Sequence, residues 1–130
     1  MLTRRSILLI SAAFLAPPSI VLATDNPAKR FDLDGDGTLD LREVKKAAAD
    51  FFARHDRDHD GTLDKRELAG RLSERELAGA DPDHDSTLNL DEYQAVVEKR
   101  FNAANRDGDG TLDAKELRTP AGRALLRLLK

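Results

Sequence analysis

The sequence has no cysteine and no tryptophan, and aromatic residues make up only 5% of its 130 positions. Without cysteine, no disulfide can hold the fold together. The small number of large apolar side chains, together with 35% charged residues, predicts a thin hydrophobic core. Such chains tend to stay loose, so the composition indicates that a bound metal ion contributes to stability.

The chain also lacks a surplus of basic residues, with 21 Lys and Arg against 24 Asp and Glu. No basic stripe and no platform of stacking aromatics appears, which argues against nucleic acid as a partner. No serine–histidine or cysteine–histidine arrangement of a nucleophile is present either. We therefore do not expect an enzyme.

Residues 1–23 differ in character from the rest of the chain. Arg4 and Arg5 precede the apolar run Ile7–Leu15, and Val21–Ala23 has the small-residue spacing of a signal-peptidase site. The apolar run is too short to span a bilayer, so we predict a cleaved export signal, with a short membrane anchor as the alternative. The stretch Thr3–Leu9 (TRRSILL) is typical of twin-arginine signals, so twin-arginine and general secretion both stay open.

Cleavage after residue 23 would leave a mature periplasmic chain with 19 basic and 24 acidic residues and no stable membrane anchor. We expect residues 24–30 to be disordered and residues 31–130 to form one metal-binding domain. The reason is a repeat at a spacing of 24 or 25 residues, which starts at residues 32, 56, 81 and 105. We call these twelve-residue stretches loops one to four: 32–43, 56–67, 81–92 and 105–116.

Each loop matches the pattern of the EF-hand calcium loop, in which oxygen-bearing side chains stand at fixed places around a glycine. A hard cation such as calcium takes six to eight oxygen ligands at roughly 2.3–2.6 Å. The first, third and fifth side chains point inward, the seventh residue offers its backbone carbonyl and leaves its side chain free, and the ninth binds directly or through water. The twelfth is a glutamate that offers both oxygens. The leucine at the eighth place is expected to pack inward and to pair two loops through a short β-bridge.

The predicted ligand residues number six in each loop, for up to four bound ions. They are Asp32, Asp34, Asp36, Thr38, Asp40 and Glu43; Asp56, Asp58, Asp60, Thr62, Asp64 and Glu67; Asp81, Asp83, Asp85, Thr87, Asn89 and Glu92; and Asn105, Asp107, Asp109, Thr111, Asp113 and Glu116.

The four loops are not equivalent. Loop three has Ser86 where glycine would supply a positive φ, and loop four opens with Asn105, which carries no charge. Pro82 stiffens loop three and offsets part of the Ser86 cost. We predict that loops one and two bind most tightly and loop four most weakly. His59 and His84 stand at fourth places and are expected to face solvent, since hard oxygen sites do not favour imidazole.

The linkers between loops have only 12 or 13 residues, so one helix must serve two loops. Val44–His55 and Tyr93–Ala104 each read as one continuous helix. The middle linker contains Gly70 and a capping box that begins at Ser73, which predicts two short helices with a bend near Arg71–Ser73. A straight helix shared by two loops places them at its opposite ends. The bent middle linker reverses the direction of the chain, so we predict that loop two meets loop three and that loop one meets loop four.

The chain ends in a leucine-rich stretch that the sequence places in the core. Thr119 is a predicted helix cap and Pro120 a predicted first helical residue. The following leucines, Leu125, Leu126, Leu128 and Leu129, form an apolar stripe, with a partner-docking face as the alternative. The fold class expected is all-α, with four EF-hand loops joined by short shared helices in a compact bundle.

Four such loops, short linkers, an export signal and the ending AANRDGDGTLDAKELRTPAGRALLRLLK resemble lanmodulin, the periplasmic lanthanide-binding family of methylotrophic bacteria. The resemblance implies a bundle that orders on binding lanthanide(III) ions, responds weakly to calcium and serves lanthanide uptake or trafficking. The sequence departs from the family pattern at the second place, where only loop three has proline; the others have Leu33, Arg57 and Arg106.

Three functions therefore stay open. The first is a periplasmic lanthanide carrier or buffer that folds on metal, and the second is an extracytoplasmic calcium sensor or buffer. The third is a metal-stabilised module that docks a periplasmic protein partner and exposes an apolar patch when loaded. The first two differ in which ion induces helix, and at what concentration.

Overall fold

Short helices and four loops alternate along the chain. The computed structural model describes residues 25–130, so the export signal predicted at residues 1–23 lies outside the described residues. The elements are β1 (Leu39–Asp40), α1 (Leu41–His55), β2 (Thr62–Asp64), α2 (Lys65–Leu68), α3 (Glu74–Ala80), β3 (Thr87–Asn89), α4 (Leu90–Ala104), β4 (Thr111–Leu112), α5 (Ala114–Leu117) and α6 (Pro120–Leu126). The predicted helical bundle with loops joined by shared helices is confirmed. Among the helices described, none is long and apolar enough to cross a membrane.

The two longest helices, α1 and α4, form the centre of the core. On α1, Val44, Ala47, Ala48, Phe51 and Phe52 are buried at the spacing of one helical face. On α4, Tyr93 is fully buried and stacks on Phe51 with ring centroids 5.6 Å apart. The Tyr93 hydroxyl donates to the carbonyl of Leu128 at 2.6 Å, which satisfies the polar end of a buried ring. Both helices are continuous, as the sequence predicts.

The middle linker reverses the chain between α2 and α3. Ala69 and Gly70 both have positive φ, at 52° and 79°, and Ser73 then caps α3 in a capping box with Glu76. Arg71 lies between them, donates to the carbonyl of Lys130 at 2.8 Å and stacks over the Phe51 ring at 4.7 Å. The predicted bend is confirmed, and the reversal already begins at Ala69.

The loops meet in two pairs, each joined by a short antiparallel bridge. Strand β1 pairs with β4, with Leu39 opposite Leu112, and β2 pairs with β3, with Leu63 opposite Leu88. All four leucines are fully buried. Loop one therefore lies beside loop four and loop two beside loop three, which confirms both the pairing and the role of the eighth place.

The two ends of the described chain are packed against the bundle. Thr119 caps α6, Pro120 opens it, and Leu125, Leu126, Leu128 and Leu129 lie in the core as predicted. Residues 25–30 differ from the disorder expected for them. The Asn26 side chain donates to the carbonyl of Gly37 at 2.9 Å, and Ala28 is fully buried. These contacts hold the segment in turns against loop one.

Candidate metal-binding loops

Carboxylates converge in each of the four loops. Because the backbone curls, the aspartates at the first, third and fifth places turn inward, and one oxygen of each lies within 4.8 Å of the others in its group. The groups are Asp32, Asp34, Asp36 and Glu43; Asp56, Asp58, Asp60 and Glu67; Asp81, Asp83 and Asp85; and Asp107, Asp109 and Glu116. Each group offers only carboxylate oxygens, the donors that hard cations prefer.

Backbone and hydroxyl donors hold the converging carboxylates in place. At the sixth place, the N–H of Gly37, Gly61 and Ser86 donates to the first-place aspartate at 2.8, 3.0 and 2.7 Å. All four sixth-place residues have positive φ, as the sequence predicts. The exposed His59 and His84 also have positive φ, both at 56°, so the fourth place is a second left-handed position that the sequence interpretation missed.

The threonine at the seventh place makes a side-chain hydrogen bond that the sequence did not predict. Its side chain was expected to be free, because only its carbonyl was assigned a role. In all four loops its hydroxyl donates to the fifth-place aspartate: Thr38 at 3.0 Å, Thr62 and Thr87 at 2.9 Å, and Thr111 at 3.2 Å. The expectation of a free side chain is wrong, because a hydroxyl two residues from a carboxylate readily bonds to it.

The ninth-place side chains cap the outgoing helices. The side chains of Asp40, Asp64, Asn89 and Asp113 each accept the backbone N–H of the twelfth-place glutamate at 2.8 Å. In turn, the glutamate carboxylate accepts the backbone N–H of the ninth-place residue. They lie outside the converging groups. The Asp-x-x-Glu spacing is a capping-box signal that could have found this role in the sequence. Whether these side chains also bind an ion stays a prediction.

The twelfth-place glutamates fall into two classes. Glu43, Glu67 and Glu116 are 1%, 9% and 8% exposed and belong to their converging groups. Glu92 of loop three is half-buried, and its carboxylate is outside the group formed by Asp81, Asp83 and Asp85. Loop three is therefore the one loop whose group lacks the twelfth-place glutamate.

Loop four begins with an amide in place of a carboxylate. In the orientation that satisfies both ends of the Asn105 amide, its nitrogen donates to Asp107 at 3.1 Å and its oxygen accepts the N–H of Gly110 at 3.2 Å. The oxygen thus replaces the first-place aspartate as acceptor for the sixth residue. Asn105 keeps the loop geometry and removes one negative charge.

Crowding perturbs the protonation of the loop carboxyls. A hydrogen bond with Asp81 raises the pKa of Asp83 to about 6, and the same bond lowers the pKa of Asp81. In loop one, the bond with Asp32 likewise raises the pKa of Asp34. A shared proton relieves the repulsion between neighbouring carboxylates, and a bound cation would do the same more completely.

A comparison with protein families identifies three of the four loops. The sequence model of the family described as EF hand matches residues 29–47, 48–78 and 98–119, which together are more than half of the chain. The chain belongs to the EF-hand family. The matches contain loops one, two and four, whereas loop three lies in the unmatched stretch 79–97. A search of curated proteins finds no significant match.

EF-hand membership fits the converging carboxylates. Proteins of this family are generally calcium-binding and non-enzymatic, and the acidic groups of the loops suit a metal ion. The match is to EF hands in general and is silent on the narrower resemblance to lanmodulin.

Proposed function

We propose that this EF-hand chain is an exported, periplasmic buffer or carrier for hard cations, with lanthanide(III) ions as cargo and calcium as the alternative. The observation that carries the proposal is the convergence of three or four carboxylates in every loop. None of the ion pairs among residues 25–130 uses any of these carboxylates. The carboxylates of each group therefore repel one another, and a bound cation would relieve this repulsion.

Charge supports the trivalent ion. Loops one and two each have five carboxylates at ligand places, so a divalent ion leaves three negative charges and a trivalent ion leaves two. The gain from the higher charge grows as the carboxylates crowd together. Calcium stays the alternative because many calcium loops also accept lanthanides and because the family match favours calcium. A titration with both ions distinguishes them.

Metal binding would complete the folding of the protein. Each ion would join residues from both ends of its loop, and paired loops share a β-bridge. Binding free energy is then also folding free energy, which suits a chain with a thin core.

The test is a titration of metal-free residues 24–130 with lanthanum and, separately, with calcium, followed by circular dichroism. Helix induced by sub-micromolar lanthanum but only by millimolar calcium supports the lanthanide function. Helix induced by micromolar calcium supports a periplasmic calcium protein. A variant with Gln at residues 43, 67, 92 and 116 is the matched control and should respond to neither ion at these concentrations.

A further inference from the structure

A backbone N–H at the second place of the loop contacts the twelfth-place glutamate in three of the four loops. The N–H of Leu33 donates to Oε2 of Glu43 at 2.6 Å, and that of Arg57 donates to Oε2 of Glu67 at 2.8 Å. In loop four, the N–H of Arg106 donates to Oε2 of Glu116 at 3.0 Å. We call this contact the second-place bond.

The other oxygen of each of these glutamates is held as well. Oε1 of Glu43, Glu67 and Glu116 accepts the N–H of the ninth-place residue at 3.0, 3.1 and 3.2 Å. In loop one, Oε2 of Glu43 also accepts the N–H of Asp34 at 3.4 Å, a longer and weaker bond. Bonds on both oxygens fix the position and the orientation of a carboxylate. The glutamates of loops one, two and four are thereby turned into the loop.

Loop three has no second-place bond, because Pro82 has no backbone N–H. Glu92 keeps the bond from Asn89 to Oε1, at 2.9 Å. Its Oε2 accepts none of the hydrogen bonds found among residues 25–130. This is also the one twelfth-place glutamate that is half-buried and outside its converging group.

Two other substitutions in loop three, Ser86 and Asn89, keep the hydrogen bonds that these places make in the other loops. The N–H of Ser86 still donates to Asp81 at 2.7 Å, as glycine does in loops one and two. Asn89 still caps α4 at 2.8 Å, as the ninth-place aspartates cap their helices. Pro82 is therefore the difference that reaches Glu92.

We infer that the backbone N–H of the second residue positions the twelfth-place glutamate for the ion, and that Pro82 removes this positioning from loop three. The inference rests on the proposed function. A carboxylate oxygen has two lone pairs, so Oε2 of Glu67 and of Glu116 accepts one N–H and still binds a cation. At Glu43 the second N–H, from Asp34, is 3.4 Å away and is the weaker of the two bonds. Loops one, two and four hold both oxygens of the glutamate before the ion binds. In loop three only Oε1 of Glu92 is held, so its carboxylate joins the group only as the ion binds, at a cost in affinity.

The test compares Leu33→Pro with Leu33→Ala in residues 24–130. Leu33 is 61% exposed, so the two variants lose similar side-chain contacts and differ in the N–H of residue 33. The weaker bond from the N–H of Asp34 to Glu43 is present in both variants. Proline already stands at this place in loop three, so the loop geometry accepts it. The N–H signals of the sixth-place residues, Gly37, Gly61, Ser86 and Gly110, report each loop separately in ¹⁵N NMR titrations with lanthanum and with calcium.

We expect loop one to bind either ion roughly three- to tenfold more weakly in Leu33→Pro than in Leu33→Ala. The reverse change, Pro82→Ala, supplies the missing N–H and should strengthen loop three by a similar factor. This second variant keeps the test decisive if Leu33→Pro does not fold.

The outcomes separate the inference from the proposed function. If the unmodified chain binds lanthanum and calcium, but neither variant changes the affinity of its own loop, the inference is overturned and the proposed function stands. If the unmodified chain binds neither ion in any loop, the proposed function is wrong and the inference falls with it.

Discussion

Positive φ at single residues decides much of the shape of each loop. The fourth and sixth places are both left-handed, and glycine fills both in loops one and four. Ser86 is the one sixth-place residue with a side chain, at a φ of 67°. Residues other than glycine pay a steric cost in this region because Cβ approaches the backbone.

Replacing Ser86→Gly should stabilise the protein by about 0.5–1 kcal/mol. Glycine relieves the backbone strain at this φ, which is worth about 1–2 kcal/mol. This relief exceeds the entropic cost that arises because glycine makes the unfolded chain more flexible. The free energy of unfolding from urea titrations at a fixed lanthanum concentration checks this value.

The matched control is Gly61→Ser at the same place of loop two. A Cβ at Gly61 meets no atom within 4 Å, so only the backbone is affected, and stability should fall by a similar amount. A loss of stability in Ser86→Gly would contradict the strain argument.

Helices α5 and α6 approach each other closely at Gly122. A Cβ built there would overlap the carbonyl oxygen of Glu116 and lie 2.5 Å from the Cα of Leu117. Thr119 joins the two helices, since its hydroxyl donates to Glu116 at 2.6 Å and accepts the N–H of Gly122 at 3.1 Å. The Thr-Pro-Ala-Gly stretch thus fixes the end of the helix that carries Glu116.

Gly122→Ala should destabilise the protein by roughly 2–3 kcal/mol, because the added methyl meets backbone that cannot rotate away. Loop four should also bind its ion more weakly, since α5 must move. Thermal unfolding and titration of the Gly110 N–H signal measure the two effects.

The control for this change is Gly79→Ala in α3, where an added Cβ meets nothing within 4 Å. Alanine should there stabilise the helix by roughly 0.5–1 kcal/mol. If both substitutions had the same effect, the close approach at Gly122 would not be the cause.

In the whole molecule, helices and bridges join the four loops in a ring. Helix α1 has Glu43 of loop one near its start and Asp56 of loop two at its C-cap, and α4 links Glu92 to Asn105 in the same way. The two β-bridges join loop four to loop one and loop two to loop three. Every loop therefore has one neighbour through a helix and another through a bridge.

Leu112→Ala should weaken ion binding in loop four and, through its bridge to Leu39, in loop one. Removing a fully buried leucine leaves a cavity and costs about 2–5 kcal/mol of stability. Loops two and three should change less. Titration of the four sixth-place N–H signals at a temperature where the variant stays folded measures each loop.

Leu88→Ala is the matched change in the other pair, and it should weaken loops two and three more than loops one and four. Equal weakening of all four loops by either substitution would show that the bridges carry no specific coupling between paired sites.

The sequence by itself determined the features that depend on neighbouring residues. The loops, the leucine bridges and the caps at Ser73 and Thr119 follow from spacing within about a dozen positions, where backbone geometry leaves few alternatives. The pairing of loops also followed, because Gly70 and Ser73 require the middle linker to bend while the other two linkers run straight.

Only the tertiary structure decided the contacts between distant parts of the chain. Arg71 donates a hydrogen bond to the carbonyl of Lys130, 59 residues away. Asn26, in the segment that the sequence predicts to be disordered, donates a hydrogen bond to the carbonyl of Gly37. The separation of Glu92 from its carboxylate group also arises in the tertiary structure, since it depends on a hydrogen bond between residues ten positions apart that Pro82 cannot make. Such contacts depend on where packing brings a donor and an acceptor together, and spacing along the chain does not specify that.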